Sequence, residues 1–258
     1  MCATCGCEGD GGRVVTLTHE HAHEHGHPHD HEHPHEHGPS GEVITLEQKV
    51  LAKNDQLAER NRGWFAGRGI SAFNVMSSPG AGKTTLLVQT IGALSGSRPI
   101  AVIEGDQETT LDADRIAATG CSVIQINTGT GCHLDADMVR RALEKLDPAP
   151  GTLLFVENVG NLVCPALFDL GEEGKLVLIS VTEGEDKPLK YPHMFAASDA
   201  VIVNKTDLLP YVDFDMETFA RHAKSINPDV QILPTSAKTG EGMGNWYEWL
   251  AENRRPVR

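Results

Sequence analysis

Positive charge is scarce in this chain of 258 residues. It has 22 Lys and Arg against 36 Asp and Glu, a formal charge of −14 with His neutral. The clustered cations that phosphate-backbone binding requires are missing, which excludes nucleic acid as a partner. Long hydrophobic runs are missing too. No stretch approaches the roughly 18–20 apolar residues that span a bilayer, which excludes a membrane helix. The first residues lack the basic-then-apolar order of a secretion signal, so a cytoplasmic protein is expected. Cysteine is sparse, six in all, and in a reducing compartment these are expected as ligands or buried thiols rather than disulfides. No internal repeat is evident, which argues against a repeat array.

What is present is unevenly spread. Hydrophobic residues make up 40% of the chain, yet residues 1–41 hold almost no aliphatic run. Their Gly, His, Pro, Asp and Glu cannot bury enough surface to offset the entropy of ordering, so a disordered tail is expected over 1–41. Residues 42–70 read as a helical lead-in: TLEQKVLAKNDQLAERNR, 45–62, has helical apolar spacing with Thr45 as N-cap. From 71 to 258 the pattern alternates. AFNVMS, IAVIEGD, CSVIQIN, TLLFVEN, KLVLISVTE, AVIVNK and VQILPTS are short apolar runs, most of them separated by helix-like segments. That alternation predicts an α/β fold, a mostly parallel doubly wound sheet flanked by helices.

The first strand runs into SSPGAGKTT, 77–85. Gly80, Ala81, Gly82, Lys83, Thr84 and Thr85 form the end of a phosphate-binding loop: backbone N–H groups wrap the phosphates, Lys83 places a charge on the β/γ oxygens and the Thr84 hydroxyl ligates Mg²⁺. Ser77 stands where the general pattern has glycine. A second motif selects the base. Asn204, Lys205 and Asp207 make NKxD after an apolar strand, and the Asp207 carboxylate accepts from the guanine N1 and N2 donors that adenine lacks. Ser236, Ala237 and Lys238 follow the next strand as the SAK element that contacts the guanine carbonyl. Together the three motifs predict GTP binding.

Between them lie acids at strand ends. Asp106 in VIEGDQETT can reach Mg²⁺. Glu157 in FVENVG makes an ExxG version of a switch whose Gly160 amide senses the γ-phosphate. Lys83, Thr84, Asp106 and Glu157 are thus the expected catalytic set, with Thr84, Asp106 and Glu157 around magnesium. Asp112 and Asp114 are weaker switch candidates. Nothing announces an arginine finger or a catalytic glutamine, so slow intrinsic hydrolysis is expected.

GDQETTLDADRI, GTGCHLDADM, ENVGNLVCP, LISVTEGEDKPLKYPHMF and NKTDLLPY, together with the MC-x-x-CGC start, resemble the HypB family of hydrogenase nickel-incorporation GTPases. The resemblance covers essentially the whole chain. It implies a dimerising P-loop GTPase metallochaperone that binds Ni²⁺ and delivers it to the large-subunit precursor of [NiFe]-hydrogenase. It also implies a homodimer when GTP-bound and a small zinc-containing nickel chaperone as partner. Two alternatives stay open: a nickel or zinc storage protein with a regulatory GTPase site, and a nickel-insertion GTPase for another enzyme such as urease.

Residues capable of metal binding fall in three groups. Cys132 and His133 are adjacent before a helix expected near Leu134, and Cys164 lies four residues past Gly160. If the fold brings them together they offer two thiolates and an imidazole to Zn²⁺ or Ni²⁺, an incomplete set that a two-fold axis can share. Cys2, Cys5 and Cys7 lack a second ligand pair downstream, but with an amine nitrogen their thiolates suit planar Ni²⁺ or tetrahedral Zn²⁺. His19, His21, His23, His25, His27, His29, His31, His33, His35 and His37, interrupted by Glu, Asp, Gly and Pro, predict a multi-site metal store on a flexible leash. Cys121 is expected as a core thiol, and His193 and His222 as structural or exposed.

Overall fold

The computed structural model describes residues 14–18, 41–106, 110–129, 131 and 133–253. In chain order the elements are β1 (Val14–Thr18), α1 (Gly41–Arg68), β2 (Ser71–Ser77), α2 (Lys83–Leu94), β3 (Ile100–Asp106) and α3 (Leu111–Ala117). These are followed by β4 (Ser122–Asn127), α4 (Ala136–Leu146), β5 (Leu153–Glu157), α5 (Cys164–Leu167) and β6 (Gly174–Ser180). The last part comprises α6 (Lys187–Lys190), α7 (Pro192–Ala196), β7 (Ala200–Asn204), a 3₁₀ turn (Thr206–Tyr211), α8 (Met216–Ile226), β8 (Gln231–Pro234) and α9 (Met243–Glu252).

The strands form one sheet in the order β1-β4-β3-β5-β2-β6-β7-β8, every neighbouring pair parallel. Burial on both faces explains why the strands read as unbroken apolar runs. Alternate residues of β2 to β8 feed opposite cores. Phe73, Val102, Phe155 and Leu178 meet Leu86, Leu87, Ile91, Trp246 and Trp249 on one face. Ala72, Ile103, Leu154 and Val156 meet Phe65, Val139 and Leu143 on the other, beside a third cluster of Met76, Val177, Val201, Phe195 and Phe219.

Two expectations are corrected. The N-terminal helix runs Gly41–Arg68 rather than 45–62, so Thr45 lies inside it and is not its N-cap. The helix continues past Gly63 because Phe65 is fully buried in the sheet core. Val14–Thr18, within the segment expected to be a disordered tail, pairs as an edge strand with β4 from Val14↔Val123 to Thr18↔Asn127. VVTLT is the β-branched run of that segment, the composition that favours strand.

Parallel alignment brings the carboxyl ends of all the strands to one edge, the usual place for a site in this architecture. The loops after β2, β3, β5, β7 and β8 therefore converge there. Buried asparagines of α1 tie the same region down. Asn54 accepts from the Ala136 amide at 2.9 Å and donates to the Asp169 carbonyl at 2.7 Å. Asn61 donates to the carbonyls of Ala136 and Leu170 at 2.8 and 3.0 Å.

Candidate functional site

The loop after β2 is shaped for an anion. Gly80 and Gly82 adopt φ of 76° and 103°, conformations that favour glycine, and α2 begins at Lys83 with no side-chain cap on its first amides. Uncapped N–H groups at a helix start bind phosphate. Ser77, the departure from the glycine pattern, has a role: its hydroxyl accepts from Lys83 Nζ at 2.8 Å and donates to the Ser78 carbonyl at 2.7 Å. The lysine is thus held over the loop. Ser78 in turn donates to Glu183, whose other oxygen accepts from the Ser180 amide at 2.9 Å.

The residues expected to select the base close onto the same loop. Asn204 Nδ2 donates to the Ala81 carbonyl at 2.9 Å, and its Oδ1 accepts from the Ala237 amide at 3.1 Å. Lys205, at φ 63°, donates to the Gly80 carbonyl at 2.8 Å. The Ser236 hydroxyl donates to Asp207 at 2.6 Å, holding the carboxylate in place, while Lys238 stays exposed. One asparagine therefore joins the phosphate loop to the 235–238 loop. The approach is tight enough that a Cβ on Gly82 would lie 2.5 Å from Asn204 Nδ2.

A cavity of about 290 Å³ is lined by Lys83, Glu104, Asp106, Asp112, Glu157, Asn158 and Gly160 among others. A second, of about 300 Å³, is lined by Lys83, Thr84, Thr85, Asp112, Arg115, Glu157 and Lys205 among others. Thr84 donates to Glu157 Oε1 at 3.2 Å, and the buried Glu157 Oε2 has no partner. A buried carboxylate oxygen without a partner is costly unless something binds it. Beside the Thr84 hydroxyl and Asp106 it fits a hard cation such as Mg²⁺. Burial, opposed by Lys83, pushes Glu157 up to about 7. Gly160 passes so close to the loop that a Cβ would sit 3.0 Å from Pro79 Cγ.

Sequence reasoning missed three residues. Glu104, only 3% exposed, lies in register beside Glu157. Burial, followed by Glu157, Asp106 and Asp112, pushes it to about 9. Its position two residues before Asp106, on the same strand face, was the available signal. Arg115 donates to Thr85 Oγ1 at 3.2 Å and to Asp112 at 3.3 Å. No motif announced it. Asn158 is buried in the middle of ENVG, at a position the ExxG pattern leaves unspecified.

The third group of residues lies just beyond the switch. Cys164 starts α5 and is half-buried. The His133 ring stacks on Phe168, the residue after α5, at 3.9 Å between centroids. The fold therefore brings the His133 loop against the segment carrying Cys164. Burial lowers the His133 pKa, Asp135 opposing it, and a neutral imidazole is the form that ligates. The helix expected near Leu134 begins at Ala136, capped by Asp135, which accepts from the Met138 amide at 2.7 Å. Among the described residues no three His, Cys, Asp or Glu side chains form a metal-binding group. Cys132, Cys2, Cys5, Cys7 and the ten tail histidines, His19 to His37, lie outside the described residues. Cys121 is buried, which pushes its thiol to about 12, and His222 Nδ1 bonds the Glu185 carbonyl at 3.0 Å. No helix among the described residues is long and apolar enough to cross a membrane.

Residues 71–234 match the family model described as the CobW/HypB/UreG nucleotide-binding domain. The hydrogenase maturation factor HypB of Azotobacter vinelandii is 56% identical over 212 residues, covering 82% of this chain and 70% of that protein. The protein of the same name from Escherichia coli K12 is 56% identical over 212 residues, covering 82% and 73%. Among solved structures, HypB of Archaeoglobus fulgidus superposes with a TM-score of 0.74 at 39% identity, covering 78% of this chain and 98% of that one. HypB of Helicobacter pylori in complex with nickel gives a TM-score of 0.72 at 36% identity, covering 80% and 99%.

Proposed function

The chain belongs to the CobW/HypB/UreG nucleotide-binding family, among its hydrogenase maturation factors HypB, and we propose that it is a GTP-hydrolysing nickel metallochaperone. In this reading it delivers Ni²⁺ to the large-subunit precursor of [NiFe]-hydrogenase, and GTP-dependent dimerisation controls the transfer. A small zinc-containing nickel chaperone supplies or receives the metal, and the protein works in the cytoplasm.

One observation carries the reading. Glu157 touches Thr84 of the phosphate loop, and seven residues later the same segment reaches Cys164, with Phe168 against His133. A phosphate sensor and a thiol on one short stretch of chain, with an imidazole stacked against its far end, support coupling of nucleotide to metal.

The residues act as follows. Asp207, with Asn204 and Lys205, takes the guanine, and the loop amides and Lys83 take the phosphates. Thr84, Asp106 and Glu157 would hold Mg²⁺, which would supply positive charge against the phosphate oxygens. Water adds to the γ-phosphorus, the bond to the β-γ bridging oxygen breaks, and GDP and phosphate leave. Cys164 and His133, with Cys132, hold Ni²⁺ or Zn²⁺ as cargo. Val163 and Leu167 flank Cys164 and are 48% and 45% exposed, which supports a partner copy covering this face.

Maturation of [NiFe]-hydrogenase in cells whose own copy is replaced by the Cys164→Ala variant tests the proposal. Loss of hydrogenase activity at ordinary nickel, with GTP binding retained, is expected. Normal maturation would refute the central metal site.

A further inference from the structure

A single buried side chain connects the phosphate sensor to the loop carrying His133. Asn158 directly follows Glu157 and is 1% exposed. Its backbone amide donates to the Val75 carbonyl at 3.0 Å, anchoring it beside the phosphate-loop strand. Its Oδ1 accepts from the Val159 amide at 3.0 Å, within the switch, and from the Leu134 amide at 3.2 Å. Leu134 is the residue after His133. Its side chain is fully buried and covers Gly105, where an added Cβ would come within 2.9 Å of Leu134 Cδ1. The residue beside His133 is therefore held by its amide to the Glu157 strand and by its side chain over the backbone next to Asp106.

The other half of the asparagine is fixed from behind. Nδ2 donates to Asn74 Oδ1 at 3.2 Å, and Asn74 donates to Glu172 Oε1 at 3.4 Å. Glu172 Oε2 accepts from the Leu170 amide at 2.6 Å. Asn74 and Glu172 are buried. Leu170 lies two residues past Phe168, the ring on which His133 stacks. Both walls of the His133 environment thus lead to Asn158.

Resting on the function proposed above, we infer that Asn158 is the positioning residue that transmits phosphate occupancy to the metal-holding loop. When Glu157–Gly160 rearranges around a γ-phosphate, Oδ1 moves with it. The buried Leu134 amide must follow or lose its acceptor, and leaving a buried amide unsatisfied is costly. His133 moves with Leu134. The bonded chain is physical and contiguous, linking the two sites through one buried side chain.

The test is the nickel dissociation constant of the full-length protein, read at saturating GDP and at saturating non-hydrolysable GTP analogue. In the wild type the two values are expected to differ by roughly tenfold. In Asn158→Ala they should agree within about twofold, coupling of this size being lost with the connecting group. Asn74→Ala removes a neighbouring buried bond but leaves the Asn158–Leu134 contact, and it should keep the wild-type ratio. A wild-type ratio of one overturns both this inference and the function it rests on. A large wild-type ratio retained in Asn158→Ala overturns this inference alone. Amide hydrogen exchange at Leu134 in the unaltered protein does not depend on variant folding. Its protection should change between the two nucleotide states, and equal protection in both refutes the relay.

Discussion

Thr84 and Glu157 meet across the phosphate cavity, the threonine hydroxyl donating to the carboxylate at 3.2 Å while the second carboxylate oxygen has no partner. In the function proposed above the pair helps to hold Mg²⁺, and the unpartnered oxygen gives Glu157→Gln a specific outcome. The amide still accepts from Thr84, so the fold survives, but the anionic oxygen is gone. GTP hydrolysis should fall about 100-fold, and the Mg²⁺ concentration needed for tight GTP binding should rise. Phosphate release and nucleotide binding measured across a magnesium series check both.

Glu104 sets a pH dependence. Burial raises it from 4.5 to about 9, so the folded chain holds this proton more tightly than the unfolded chain does. Its contribution is fully present below about 4.5, declines as pH climbs toward 9 and is lost above that. Glu104→Gln, which keeps a neutral polar group, should match the wild type near pH 5. It should exceed it near pH 9 by on the order of 1–3 kcal/mol. Thermal melts of nucleotide-free protein across that range read the difference, and a pH-independent gap contradicts it.

Asp207 is held by Ser236 at 2.6 Å, and in the function proposed above it is the discriminating acceptor. Asp207→Asn loses the acceptor for the guanine N1 and N2 donors and gains a donor. It should lower GTP affinity by 100-fold or more while binding xanthosine triphosphate better, since the amide can donate to the C2 oxygen. Unchanged GTP affinity would remove Asp207 from the site.

Gly82 has no room for a side chain: the φ of 103° disfavours one, and Asn204 Nδ2 lies 2.5 Å from where a Cβ would be. Gly82→Ala should cost about 1–3 kcal/mol of stability and abolish tight nucleotide binding, because Asn204 is displaced from both loops that it joins. Denaturant melts and nucleotide titration give the two readouts.

The two described thiols should differ in reactivity. Alkylation mapped by mass spectrometry should modify the half-buried Cys164 in the native protein and leave Cys121 unmodified until denaturation. Burial keeps the Cys121 thiol protonated, with a pKa near 12. Rapid native labelling of Cys121 would contradict its place in the core.

Strand positions were legible because parallel strands buried on both faces are short apolar runs, as AVIV and LLFV are before their polar last residues Asn204 and Glu157. The phosphate and base motifs were legible because each function needs particular groups at fixed spacing. Helix ends were less so: Thr45 looked like a cap, but the helix starts at Gly41, an N-cap preference being worth only about 1 kcal/mol. Glu104 and Asn158 were hidden for a different reason. Their roles come from register and burial across β3, β5 and the loop at Leu134, and no local pattern encodes contacts between segments so distant in sequence. Ser77 looked like a flaw in the motif until its hydroxyl was found under Lys83.

Asn204 clasps the phosphate loop to the 235–238 loop through the two ends of one amide, and this ties together stretches of chain far apart in sequence. A disturbance of either loop reaches the other through a single side chain, so loosening the 235–238 loop should loosen the phosphate loop as well.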